Sequence, residues 1–173
     1  MVSGQKQTGF TIVELLIVIV VIAILAAITI VAYNGIQNRA ADTAVQSDIN
    51  ALMKKSSLHN VDNSKQFTGV NEITNFKASK SGYATDPTTT FNLTSCFVSG
   101  GGVFAVIALS KSGKIFYATT NDNTVKEYTA GAWPANSGAA CTGIAGMTSP
   151  TNYNGYASTD TSTGPWRAWV GGN

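Results

Sequence analysis

A chain of 173 residues suits one domain with a modest core. Its net charge of +2 is too small to argue for nucleic acid, and its charged share of 12% is about half the usual ~25%. One His and two Cys exclude nearly every all-protein zinc site and any His-dependent triad not built on His59, while 50 Ser, Thr and Asn residues supply the polarity.

The apolar residues are unevenly spread. Leu15 to Ala32 reads LLIVIVVIAILAAITIVA, with Thr29 its single polar residue. A threonine hydroxyl can bond back to a helix carbonyl, so it does not break the pattern. As a helix the block spans roughly 27 Å, close to the ~30 Å hydrocarbon core of a bilayer. Apolar side chains cover its whole circumference, and a domain this small rarely surrounds a helix on all sides, so a membrane span is expected over a buried core helix. A secretory signal peptide fits poorly. The block is longer than an ordinary signal core of ~7–15 residues. The following YNGIQNRAADTAVQ also reads as continuing helix. Lys6, ahead of the block, places the N-terminus on the cytoplasmic side and the bulk of the chain outside. Glu14 sits at the start of this run. An unpaired carboxylate there costs on the order of 2–3 kcal/mol if it enters hydrocarbon, so it needs a partner.

Gly9-Phe10-Thr11-Ile12-Val13-Glu14, abutting Leu15-Leu16-Ile17-Val18, resembles the processing signal of type IV prepilins and pseudopilins. Ala26-Ala27-Ile28, Ala32-Tyr33-Asn34 and Arg39-Ala40 extend the likeness to about Ala41. The resemblance implies cleavage between Gly9 and Phe10 by a prepilin peptidase, N-methylation of Phe10, and a subunit-assembly role for Phe10 and Glu14. The new Phe10 ammonium of one copy would meet the Glu14 carboxylate of another in a helically packed fibre. Inside an apolar fibre core such a pair sets register more than it adds net stability. Many relatives carry Gly in mid-block and Pro near its end. Here those positions are Ala23 and Val31, so an unbroken helix is expected, with Asn34-Gly35 its softest point.

Downstream, Ile36, Ala40, Val45, Ile49, Leu52 and Ser56 recur at helical spacing as one small or apolar face, with Asp42, Gln46, Asp48 and Lys54 mainly off it. One helix from about Thr11 to about His59, roughly 75 Å long, is expected. Lys54 and Lys55 suit its C-terminal dipole, and His59 reads as a cap or surface residue. Asn60 to Pro87 is polar and irregular, with room for a short helix or 3₁₀ turn. Phe104–Leu109 and Lys114–Thr119 flank Ser110-Lys-Ser-Gly113 and read as a hairpin whose Gly takes positive φ. The first of these strands is apolar on both faces and should be central, with the helix on one side. Phe91–Val98 reads as its partner strand and Val125–Thr129 as an exposed fourth. Gly100-Gly101-Gly102 lacks the spacing of a phosphate loop.

Cys96 and Cys141 fall outside the cytoplasm in this reading. A disulfide between them is expected, worth roughly 3–4 kcal/mol on the loop-entropy model. It resembles the disulfide-bounded C-terminal region of many pilins. The tail from Thr142 to Asn173 has a loop-like composition. Trp166 and Trp169, with Tyr153 and Tyr156, argue for docking against the sheet, or for a surface-binding patch at Trp166 and Trp169. Asn121-Asp122-Asn123 with Glu127, and Asp160, lack the ligand count of a recognised calcium loop, so no metal and no cofactor is expected.

The expected fold is α+β: a long N-terminal helix, membrane-spanning in its front half, packed against a small antiparallel sheet. The divisions are a leader over 1–9, a transmembrane and fibre-core helix over 10–33, a packing helix over 34–61, and a head with a Thr/Ser/Gly-rich tail over 62–173. No catalytic set is visible. The resemblance implies a structural subunit of a type IV pilus-like fibre, stored as a single-pass inner-membrane protein and then displayed at the cell surface. Its implied partners are further copies of itself, the prepilin peptidase, the pilus assembly platform and, before assembly, membrane lipid. Nucleic acid has no support, since Lys77, Lys80, Lys111, Lys114 and Lys126 are scattered in sequence. The alternatives are a pseudopilin of a secretion or DNA-uptake machine, and an uncleaved membrane-anchored binding domain.

Overall fold

The computed structural model describes residues 9–63, 76, 78–83, 92–98, 103–133, 137–143, 147 and 152–156. The chain divides into two compact units, the first ending at Gln37 and the second beginning at Asn38. Helix α1, Ile12–Asn63, runs through both.

In the first unit every described residue is exposed. The apolar run from Ile12 to Ile36 has no protein cover, and Leu15, Val18, Ile22 and Leu25 each leave about half their surface open (64%, 54%, 58% and 57%). Thr29 donates its hydroxyl to the Ala26 carbonyl (2.9 Å), so this one polar group is satisfied within the helix. The helix passes unbroken through Asn34 and Gly35, as the absence of proline leads one to expect.

The second unit is a helix-on-sheet sandwich. Its five strands are β1 (Leu93–Phe97), β2 (Phe104–Leu109), β3 (Ile115–Thr119), β4 (Lys126–Glu127) and β5 (Asn152–Tyr156). All pairings are antiparallel, in the order β4-β3-β2-β1-β5. Strand β2 is thus central, with Ile107 opposite Thr94 on one side and Tyr117 on the other. The β2–β3 turn closes through Gly113 at φ 90°, a conformation that a side chain would strain.

Strand alternation sends two apolar sets to opposite faces. Leu93, Phe97, Phe104, Val106, Ala108, Phe116 and Ala118 pack with Val45, Ile49, Leu52 and Met53 of α1. On the other face, Cys96, Ala105, Ile107 and Ile115 pack with Met147 and with Ala140 and Cys141 of a short helix α2 (Ser137–Thr142). The fully buried Val45, Ile49 and Leu52 each contribute about 1.5–3 kcal/mol of apolar burial.

The packed face of α1 departs from its expected membership. Ile36 and Ala40 are exposed, and burial begins at Ala41. Asp48, read as lying off the face, is buried (6% exposed), and Asp42 is half-buried. Both are anchoring points. Asp48 accepts hydrogen bonds from the Ser79 amide (2.6 Å), the Ser79 hydroxyl (3.1 Å) and the Tyr83 hydroxyl (2.9 Å). Asp42 accepts from the Ser110 hydroxyl (2.6 Å) and from the Ser112 hydroxyl, which fixes the β2–β3 turn to the helix. Between these anchors a 3₁₀ turn, Lys80–Gly82, lies so close that a Cβ on Gly82 would meet the Ala44 Cβ at 3.1 Å and the Ala41 carbonyl at 3.2 Å. Buried Ser56 is satisfied by the Met53 carbonyl (2.9 Å).

The helix outruns its expected end by a turn. His59 is therefore interior to α1 and not a cap, although its side chain lies outside the described residues. Lys54 and Lys55 fall short of the last turn, which holds no basic residue, so they do not serve the dipole as expected. Helix α2 carries no signal in the sequence, and the segment of Tyr153 and Tyr156, expected to dock against the sheet, joins it as strand β5. Six residues with two Ala and one Gly give no periodicity to read, and Asn-Tyr-Asn-Gly-Tyr has the composition of a loop. β5 becomes a strand because β1 offers it an open edge, with Cys96 opposite Tyr153.

Candidate functional site: the start of the apolar helix

Gly9, Phe10 and Thr11 precede the first helical residue, Ile12, and are not helical. Phe10 is 88% exposed, and nothing lies within 4 Å of where a Cβ on Gly9 would stand. The Gly9–Phe10 peptide is therefore open on every side that the described residues could occupy. A glycine there lets a second protein reach the backbone closely.

The helix starts where it does because of Thr11 and Glu14. The Thr11 amide and the Thr11 hydroxyl both donate to Glu14 Oε2 (2.8 Å each), and the Glu14 amide donates to the Thr11 hydroxyl (3.3 Å). This reciprocal arrangement is a capping box, with Thr11 as the N-cap and Glu14 three residues on. It satisfies two backbone donors that the first turn otherwise leaves open, and it sets a carboxylate at the positive end of the helix dipole. Leu15 then begins the helical ladder by donating to the Thr11 carbonyl (3.3 Å). For Thr11 the sequence leaves open an N-terminal helix bond or no role, and the structure shows the bond; Thr-x-x-Glu before an apolar run is the mark of this box. Glu14 and Phe10 stand at the same helix start, and Glu14 takes Thr11 as its partner.

Cys96 and Cys141 are joined, across 45 residues of sequence, with Cα atoms 5.6 Å apart. The bond ties β1 to α2, and both sulfurs are fully buried. Trp166, Trp169 and Asp160 lie outside the described residues. The acidic side chains of the β3–β4 region are engaged with lysines. Glu127 pairs with Lys114 (2.9 Å) and Asp122 with Lys126. The neighbouring lysine holds the Asp122 carboxyl below its ordinary range, and the carboxylates raise both ammonium groups.

A long apolar helix opened by a Thr-x-x-Glu box, followed in the chain by a disulfide-bonded helix-on-sheet unit, is the build of a pilin-like subunit. Residues 4–30 match the prokaryotic N-terminal methylation motif. Over 121 residues the chain is 31% identical to the type IV wide pilus major component PilA4 of Thermus thermophilus, an alignment covering 70% of this chain and 87% of that one. No solved structure matches the chain. The chain belongs to the type IV pilin family. The family is structural, and the chain is accordingly a subunit and not an enzyme.

Proposed function

We propose that this pilin is cut between Gly9 and Phe10 by a prepilin peptidase, methylated at Phe10, and built into a type IV pilus through its apolar helix. The carrying observation is the uncovered segment from Ile12 to Ile36, headed by a carboxylate. So much exposed apolar surface requires either lipid or other copies of itself. Lipid supplies the cover while the subunit is held as a single-pass inner-membrane protein, and neighbouring helices supply it after extraction by the assembly platform. Glu14 of one copy pairs with the Phe10 ammonium of the next. An unmatched stagger strands a charge in an apolar core, so the pair selects one register. The disulfide-bonded head covers the outside of the fibre. The likeness to a wide pilus component supports a pilus over the pseudopilus of a secretion machine.

The test is intact mass and N-terminal sequence of the protein from its membrane and fibre fractions. The expected chain starts at Phe10, carries one added methyl group, and is two hydrogens lighter for the Cys96–Cys141 bond. A chain still beginning upstream of Gly9 in cells with an active peptidase would overturn the reading in favour of an uncleaved anchored domain.

A further inference from the structure

Strand direction fixes the end of the head from which the chain runs on after β5. The second unit opens at Asn38, just past Ile36, the last large exposed apolar residue of the bare segment. Asp42 follows after about 9 Å of helix and holds Ser110 and Ser112 of the β2–β3 turn. Strand β2 runs toward that turn, β1 runs away from it, and β5 runs toward it again. Tyr156 lies opposite Leu93, and Leu93 lies opposite Ala108. The last residue of β5 therefore stands at the Asp42 end of the sheet, about 10 Å from β2 across two strand spacings.

The same end carries cations without counter-charges. Arg39 and Lys111 are exposed, and among the described residues neither side chain has an acidic partner. The Lys111 amide donates to the Gly82 carbonyl (2.8 Å), which joins it to the 3₁₀ turn that Lys80 opens. The acids of this end are engaged, Asp42 by two serine hydroxyls and Glu127 by Lys114 (2.9 Å). Past Tyr156, the residues 157–165 lead to Trp166-Arg167-Ala168-Trp169-Val170, two tryptophans around an arginine with no acid among them. A connection of that length reaches up to about 30 Å. Both faces of the sheet already have partners among the described residues, α1 on one and α2 with Met147 on the other. Tryptophan rings favour the headgroup level of a bilayer, where one side of the ring is apolar and the other wet, and arginine is drawn to anionic lipid.

We propose that the Asp42 end of the head docks on the headgroup layer of the membrane that stores the subunit, with Trp166 and Trp169 seated in that layer and Arg39, Lys111 and Arg167 on anionic lipid phosphates. The inference rests on the storage of the bare helix in lipid set out above. The head is then held at the bilayer by its own surface as well as through α1, and extraction of the subunit must lift it off.

The test uses the full chain in phosphatidylcholine vesicles, with and without phosphatidylglycerol. Spin-labelled lipids carry the quencher either at the headgroup or deep in the acyl chain, and acrylamide reports exposure to water. The chain has three tryptophans, and the variant Trp166→Phe with Trp169→Phe leaves Trp133 alone, so its signal is subtracted. The expected result is that the tail tryptophans are quenched about threefold more by the headgroup label than by the deep one, and are sheltered from acrylamide. Phosphatidylglycerol strengthens the headgroup quenching, and Arg39→Glu with Lys111→Glu weakens that gain about fivefold.

Tail tryptophans open to acrylamide and untouched by either label would overturn the docking. Protection from acrylamide and from both labels would overturn it too, because the tail would then lie on protein. Quenching indifferent to phosphatidylglycerol and to the charge reversals would strike out the cationic rim. A chain that does not float with the vesicles would bring down storage in lipid, the reading on which the docking rests.

Discussion

Two aspartates on one helix do different work in this head. Asp42 sits at its edge and takes two serine hydroxyls from the β2–β3 turn. Asp48 lies deeper, under the segment Ser79–Tyr83, with three donors and no cation among the described residues. Burial raises its carboxyl above the ordinary value of 3.8, and the bonds from Ser79 and Tyr83 oppose that shift without cancelling it. Tyr83 rises too, first through its own burial and then through the charge of Asp48. A carboxyl whose folded pKa is raised adds stability below its unfolded pKa, and that stability is lost as pH rises through the folded value. The wild-type protein should therefore lose stability relative to Asp48→Asn as pH climbs from about 4 toward 7. Thermal unfolding of the detergent-solubilised full chain at several pH values measures this, and a difference independent of pH would show that Asp48 titrates as an ordinary surface carboxyl. Sequence spacing placed both aspartates off the packed face. Asp48 stands one turn from both Val45 and Leu52, which are fully buried, and only the donors that fold over it make its burial tolerable.

At the scale of elements, α1 and the β2–β3 hairpin were legible because each carries a local pattern of run length and turn residues. The eighteen-residue apolar block, the short continuous apolar run Phe104–Leu109 and the Gly at Gly113 correspond directly to structures that those patterns stabilise. The short exposed pairing at Lys126–Glu127 was legible as well. Helix α2 and strand β5 carry no such pattern. They form where a neighbour offers something: a disulfide partner for α2 and an open edge for β5. The Cys96–Cys141 bond therefore organises the face of the sheet opposite α1. Replacing both cysteines by Ala should lower unfolding free energy by roughly 3–4 kcal/mol for a 45-residue separation, read from urea unfolding of the full chain in detergent. A loss below about 1 kcal/mol would mean that packing of Ala140 and Met147 against Ile107 holds this face without the bond.

For the whole molecule, the governing fact is the contrast between its two units. One buries a two-faced core around a sheet. The other presents a helix with apolar side chains on every side and none of them covered. That contrast predicts where a single charge is tolerated. Ile22→Lys, at the middle of the bare segment, should cost about 2.5–3.5 kcal/mol of membrane insertion, and the subunit should then appear in the carbonate-soluble fraction. The same change in an exposed position of the head, such as Thr124→Lys, should leave fractionation unchanged. Retention of Ile22→Lys in the membrane pellet at the native level would show that the segment is not held by lipid.

The sequence by itself determined the class of this protein. A short processing motif, one carboxylate and a long apolar run are local features, and each has its physical meaning without any distant residue. It also determined the two strands of the β2–β3 hairpin and the glycine at its turn. The packed side of α1 is read correctly at Val45, Ile49, Leu52 and Ser56, but only the tertiary structure decided that it also takes in two aspartates, which become acceptable once Ser79, Tyr83, Ser110 and Ser112 reach them across 31 to 70 residues of chain. It likewise decided that Asn152–Tyr156 is a strand. Burial of a polar group and extension of a patternless segment both depend on partners that meet only when the chain has folded.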